Sequence, residues 1–208
     1  MLTRNQLIEA LADERIEIVG CPPSTSRKFK AWCDAHVSAA SIDLPLGRWL
    51  WFFDTRRYAP QRLGQALNIE ISPYVVDPSR QDHPFILADL VKTTDQNPFI
   101  LESGGFAIGH AGDGIKLAND IAGQVYTRST AERWGIDVCK SSGLIKPGYH
   151  GPLAIELTNH LGAGVILKRG ALYTQVAFMS VEPVSTEGCS YTTGDDWKPE
   201  DLLPKPLM

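Results

Sequence analysis

The chain has 208 residues, 43% of them hydrophobic and 21% charged, with a formal net charge of −4. That length suits one mainly β domain over residues 1–208 with one good core, and the weak negative charge gives no general pull toward nucleic acid or an anionic membrane. Any polyanion must therefore be gripped by a local cluster of donors.

The start, Met1-Leu-Thr-Arg-Asn-Gln6, lacks the apolar core of a signal peptide, and no apolar run reaches bilayer length. The expectation is a soluble, cytoplasmic protein. Thr3 followed by Gln6 predicts a capping box, with Leu7, Ile8 and Leu11 on one helical stripe, before Ile16-Glu-Ile-Val19 turns strand-like. After the Cys21-Pro-Pro-Ser24 break, Phe29, Trp32, Cys33 and Val37 fall at helical spacing, which predicts a second helix with core-facing aromatics.

From Ser41 onward the pattern is of many short strands. Turn signals stand at Asp77-Pro78-Ser79, Ser103-Gly104-Gly105, Asp113-Gly114, Pro147-Gly148 and Lys168-Arg169-Gly170. Such spacing predicts a β-barrel or jelly roll with a few short helices. Tyr74-Val-Val76 and Phe85-Ile-Leu87 read as strands in a poorly legible tract, and the Pro-rich end, from about residue 199, reads as an extended tail. Cys21, Cys33, Cys139 and Cys189 are scattered with no C-x-x-C, so neither a zinc knuckle nor a redox motif is supported.

The most informative stretch runs from Tyr126 to Asn159. Arg128 offers a planar fork of donors and Ser129 and Thr130 offer hydroxyls, a set suited to phosphate oxygens. If Ser129 opens a helical turn, Arg133 lies on the same face four residues on. Downstream, Pro152 to Thr158 alternates with period two, so Leu153, Ile155 and Leu157 share one face while Ala154, Glu156 and Thr158 share the other. Glu156 thus points away from the core, a position open to plain solvation as well as to chemistry.

The order of five motifs, SIDLPLG at Ser41–Gly47, TRSTAERWGI at Thr127–Ile136, SSGLIKPGYHG at Ser141–Gly151, LAIELTN at Leu153–Asn159 and GALYTQVAF at Gly170–Phe178, resembles the dCTP deaminase family, whose fold is that of trimeric dUTPases. The resemblance implies a distorted jelly roll and a homotrimer with sites at subunit interfaces. It implies Glu156 as the catalytic general acid/base, and Ser129 and Arg133 as the residues that hold the water and steer the glutamate, with Arg133 favouring the ionised carboxylate. Arg128, Ser129, Thr130 and Gln175 correspond to triphosphate contacts, with Mg²⁺ carried on the triphosphate. Ser142, Ile145 and Lys146 fall in the segment beside base and sugar. Tyr191 and Lys198 resemble a pair that closes over the nucleotide. Zinc deaminases of nucleobases carry an H-x-E and P-C-x-x-C signature that this chain lacks, so the resemblance implies no zinc at the base.

Two positions depart from the family pattern. Lys146 stands where an Asp is usual, and a charged lysine accepts no hydrogen bond. That argues against dUTPase chemistry and removes an expected acceptor for the sugar, and a lysine there can instead pair with Glu156 or a phosphate. Ser142 stands where a small apolar residue is common, so the pyrimidine edge, and hence the substrate, can differ. The same-fold alternative is a dUTPase-type pyrophosphatase. A different class of reading is a non-catalytic nucleotide-binding or sensing trimer.

Overall fold

The computed structural model describes residues 1–53, 88–92, 98–185, 194 and 196–203. Tyr191, Cys189, the turn at Asp77–Ser79 and the strands expected at Tyr74–Val76 and Phe85–Leu87 lie outside the described residues.

Helix α1, Arg4–Ala12, begins where the capping box was expected, with the Thr3 N–H donating to Gln6 Oε1 at 2.9 Å. Its Leu7 and Leu11 enter the core. Strand β1, Ile16–Ile18, follows. Helix α2 spans Phe29–His36 and buries Cys33, with Phe29 and Trp32 packed at the rim of the core. The remaining regular elements are mostly strands: β2 Ile42–Pro45, β3 Trp49–Phe53, β4 Ala88–Lys92, β5 Phe99–Leu101, β6 Phe106–Leu117 and β7 Ile121–Thr127. After the short helix α3, Ser129–Arg133, come β8 Ile136–Asp137, β9 Leu144–Ile145, β10 His150–Asn159, β11 Val165–Leu167 and β12 Leu172–Ser180.

All the pairings are antiparallel. One sheet runs β4-β3-β6-β10-β8 with β1 added to the end of β6, another runs β2-β12-β7-β9, and β11 pairs β5. Leu153, Ile155 and Leu157 of β10 join Leu44, Leu50, Val176 and Phe178 in one apolar cluster, so the alternation expected from Pro152 to Thr158 holds. Burial of this kind is worth about 1.5–3 kcal/mol for each large side chain.

The turn expected at Asp113-Gly114 is a correction, because both residues lie inside β6. Gly112, at φ 64°, takes up the irregularity there, and β10 answers with a register shift between Gly151 and Leu153. Two steps of β10 there face four of β6, from Ala111 to Ile115, and the two extra residues kink the ladder without ending it.

The outward face of the six-stranded sheet is partly covered. A 3₁₀ turn at Pro199–Leu202 lies on it, with Leu202 and Leu203 packed against Trp51 and Ile108. The indole N–H of Trp51 donates to the Pro199 carbonyl at 2.7 Å, and that of Trp197 to the Asp113 carbonyl at 3.1 Å. The first part of the expected extended tail is therefore docked, because Leu202 and Leu203, with Trp197 beside them, bury against the apolar face of Trp51 and Ile108.

Under this cover lies His110, fully buried with its ring edge-on to Trp197 at 4.9 Å. Its Nδ1–H donates to the Gly112 carbonyl and its Nε2 accepts the Trp49 N–H at 3.3 Å, which fixes the neutral tautomer. A Cβ at Gly47 would fall 1.8 Å from this ring, so only glycine lets the 46–48 segment pass.

Candidate active site

Glu156 stands opposite Ile108, and Ile108 opposite Trp51, so the three form one row across the outward face of β10, β6 and β3. The apolar cover occupies the Trp51 and Ile108 end of that row. Glu156 is half-buried where the cover stops, between exposed Ala154 and half-buried Thr158. Its N–H donates to the Val138 carbonyl at 3.0 Å, tying β10 to the segment after β8.

Burial raises the Glu156 pKa above the ordinary carboxylate value, opposed by hydrogen bonding from backbone groups of Glu156 and Lys140. The charge of nearby Asp137 adds to the rise and that of Lys140 subtracts from it. Within one chain Arg133 is not among the charges acting on Glu156. The cation acting on Glu156 is Lys140, while Arg133 is exposed in the last turn of α3. A carboxyl that holds its proton more tightly than usual is better suited to accept a proton and return it.

The donors expected to hold phosphate collect on the other sheet. Asp43, Gln175 and Tyr126 form one row across β2, β12 and β7. Arg128 follows directly after β7, its Nε 3.0 Å from Asp43 Oδ2 and its Nη1 donating to the Leu172 carbonyl at 3.3 Å. The Gln175 amide donates to the Thr127 carbonyl at 3.3 Å. These contacts aim Arg128 and leave its remaining donors for a ligand. Asp43 is 8% exposed, and burial raises its pKa despite the opposing charges of Arg128 and His36. Ser129 and Thr130 are exposed at the start of α3, next to Arg128.

Thr127 links the two regions. Its hydroxyl donates to Asp137 Oδ1 at 2.7 Å and accepts the Val138 N–H at 3.0 Å. The same two-residue step thus carries the Arg128 turn at one end and the support of Glu156 at the other.

The other expected residues divide. Ser142 and Lys146 are exposed on either side of β9. Ile145 is 3% exposed, its side chain in the core against Gly123, so it serves packing. Lys198 is exposed at the head of the docked 3₁₀ turn, its N–H donating to Asp201 Oδ2 at 2.8 Å, on the same sheet face as Glu156. A cleft of about 360 Å³ lined by Glu17, Asp113, Lys116, His150 and Trp197 borders none of the expected site residues.

Sequence reasoning gave no role to Asp43, Thr127, Asp137 or Lys140. Asp43 and Thr127 lay within the quoted motifs. The signal for Asp137 was strand alternation continued backward from Val138, whereas nothing local marked Lys140.

A family profile described as dCTP deaminase-like matches residues 1–181. The chain is 30% identical over 147 residues to a dUMP-forming dCTP deaminase of Kocuria rhizophila, covering 71% of this chain and 68% of that one. It is 28% identical over 165 residues to a dCTP deaminase of Thermomicrobium roseum, covering 76% and 68% respectively. Among solved structures, 2′-deoxycytidine 5′-triphosphate deaminase from Agrobacterium tumefaciens superposes with a TM-score of 0.55 at 19% identity, over 85% of this chain. This chain spans 46% of that longer protein. The fold is thus mainly β and similar to that of a solved dCTP deaminase.

Proposed function

The chain belongs to the dCTP deaminase-like family, and from that premise we propose that it hydrolyses the C4 amine of dCTP or of a closely related nucleotide. The observation that carries this reading is Glu156, a half-buried carboxyl with raised proton affinity at the edge of an apolar cover. Water adds to C4 as Glu156 takes its proton, the proton passes to N3, and a second transfer to the amine lets the C4–N bond break. The products are the uracil deoxynucleotide and ammonia.

Ser129 holds the water and Arg133 steers the carboxylate, while Arg128, Thr130 and Gln175 take the triphosphate. Within one chain Glu156 and the phosphate row lie on different sheets, which supports a homotrimer in which a neighbour's donors complete each site. Lys146 and Ser142 lie at the sugar and base, and Lys198 with Tyr191 closes over the nucleotide.

The phosphate-side donors are a guanidinium, hydroxyls and an amide, which suit phosphate oxygens rather than a bare cation. Among the described residues no three His, Cys, Asp or Glu side chains gather. Mg²⁺ is read as arriving on the triphosphate, and the base chemistry as independent of zinc because the sequence lacks the H-x-E and P-C-x-x-C signature of zinc deaminases. Lys146 in place of a carboxylate favours dUTP over dUMP as product.

The test is to incubate the pure protein with dCTP, dCMP, CTP, 5-substituted dCTP and dUTP, with and without phenanthroline, and resolve products by chromatography. dUTP and ammonia from dCTP, unaffected by the chelator, are expected. Pyrophosphate release from dUTP would favour the dUTPase reading, and tight binding without turnover would favour a sensing protein.

A further inference from the structure

Glu156 shares its sheet face with a second carboxylate. Asp137 stands directly opposite Thr158, so its side chain leaves the same face as Glu156, one diagonal step away. That step is about 7–8 Å in an antiparallel pair. The Asp137 carboxylate is clamped, because its Oδ1 accepts the Thr127 hydroxyl at 2.7 Å and the Cys139 N–H at 3.1 Å.

On the other side stands a cation. Phe106 lies opposite Thr158 on β6, and the Lys140 ammonium sits 5.2 Å from the centre of its ring. Asp137, Thr158 and Phe106 therefore make one row, capped by Lys140, immediately beside the row that holds Glu156. The partner of Glu156 on β6 is uncharged Ile108. Cys139 lies between Asp137 and Lys140, and the docked 3₁₀ turn presents leucines to the sheet while Lys198, Glu200 and Asp201 are exposed.

We infer that Asp137 and Lys140 are an opposed pair of positioning residues that together set when Glu156 holds its proton during deamination. A carboxylate governed by Lys140 alone would take the proton of water weakly and remain ionised. One governed by Asp137 alone would hold its proton more tightly and be ionised, and so able to act as base, less often. With both present, the two charges hold Glu156 between these limits, where one group serves as base and then as acid. The raised pKa already noted for Glu156, with contributions of opposite sign from these two residues, agrees with this arrangement.

The inference rests on the reading of Glu156 as proton carrier, so its test must not depend on turnover. In protein labelled with ¹³C-carboxyl glutamate, the Glu156 signal is identified by its loss in Glu156→Gln and titrated in the unmodified protein, Asp137→Asn and Lys140→Met. Asparagine keeps an oxygen for Thr127 and Cys139 while removing the charge. The Glu156 midpoint is expected to move down by about 0.5–1 pH unit in Asp137→Asn and up by a similar amount in Lys140→Met. The acidic limb of the kcat/KM profile should follow in the same directions.

An unchanged midpoint, or movement in one direction in both variants, would overturn the inference. If Asp137→Asn does not fold, the sign for Lys140→Met at its exposed position decides. Opposed carboxyl shifts in a protein that does not deaminate would defeat the functional reading while leaving the electrostatic pair standing.

Discussion

The two halves of the candidate site hold their carboxylates in opposite ways. Asp43 faces Arg128 directly at 3.0 Å, so its charge is answered by a fork of donors within one sheet. Among the described residues of one chain Glu156 makes no such pair and lies beside Ile108, with charges of both signs one step removed. The first arrangement suits a group that must only orient another. The second suits a group whose protonation must change, because a direct ion pair would lock it in one state.

Breaking the two halves should give different signatures. The largest effect is expected for Glu156→Gln, which should lower kcat by about 10²–10⁴ while nucleotide affinity stays within about tenfold, measured by steady-state kinetics and calorimetry. The same variant should unfold about 1–2 °C higher at pH 7. Glu156 has a raised folded pKa, so stability falls as pH rises from its unfolded value toward the folded one. Glutamine removes that loss.

Arg128→Ala should do the reverse, raising KM by roughly 10-fold or more with a smaller change in kcat. It should also cost about 1–3 kcal/mol in urea unfolding, since buried Asp43 loses its partner. A large fall in kcat with unchanged KM would erase the distinction between the halves. Thr127→Val, at the link, should cost about 1–3 kcal/mol by leaving the buried Val138 N–H unpaired, and should disturb kcat and KM together. Thr127→Ser should restore both.

Smaller still is the acid response of the cover. Burial holds the His110 pKa below 6.5, so the folded state binds fewer protons than the unfolded one and stability falls as pH drops below about 6.5. The slope is at most about 1.4 kcal/mol per pH unit, and its absence in His110→Gln would assign it. The smallest difference is expected at the sugar. With Lys146 in place of a carboxylate, dideoxy-CTP should be turned over within about threefold of dCTP, and Lys146→Asp should widen that gap. Strong discrimination by the unmodified protein would point to another residue holding the 3′-hydroxyl.

Strand alternation placed Glu156 outward and Leu153, Ile155 and Leu157 inward, because a period of two depends only on neighbours in the chain. The cap at Thr3 and Gln6 was legible for the same reason. The status of Asp113 and Gly114 was not, since a bulge inside a strand and a turn between strands use the same residues and differ only in what pairs alongside. Ile145 was expected at the ligand from its place in a motif, and its side chain went to the core because β9 packs on Gly123. Lys140 acts on Glu156 across fifteen intervening positions of turn and strand, and such proximity belongs to the fold rather than to spacing.

The bond from the Trp51 indole to the Pro199 carbonyl joins positions 148 residues apart. A contact of that sequence separation carries more loop-closure entropy than the pairing of β6 with β10, whose partners lie from 34 (Lys116 with His150) to 52 (Phe106 with Thr158) residues apart. The cover therefore forms after the sheet it lies on and is the first part to come away. Trp51 and Trp197 sit in that contact, so their emission should report its opening at denaturant concentrations where the amides of β6 are still protected from exchange.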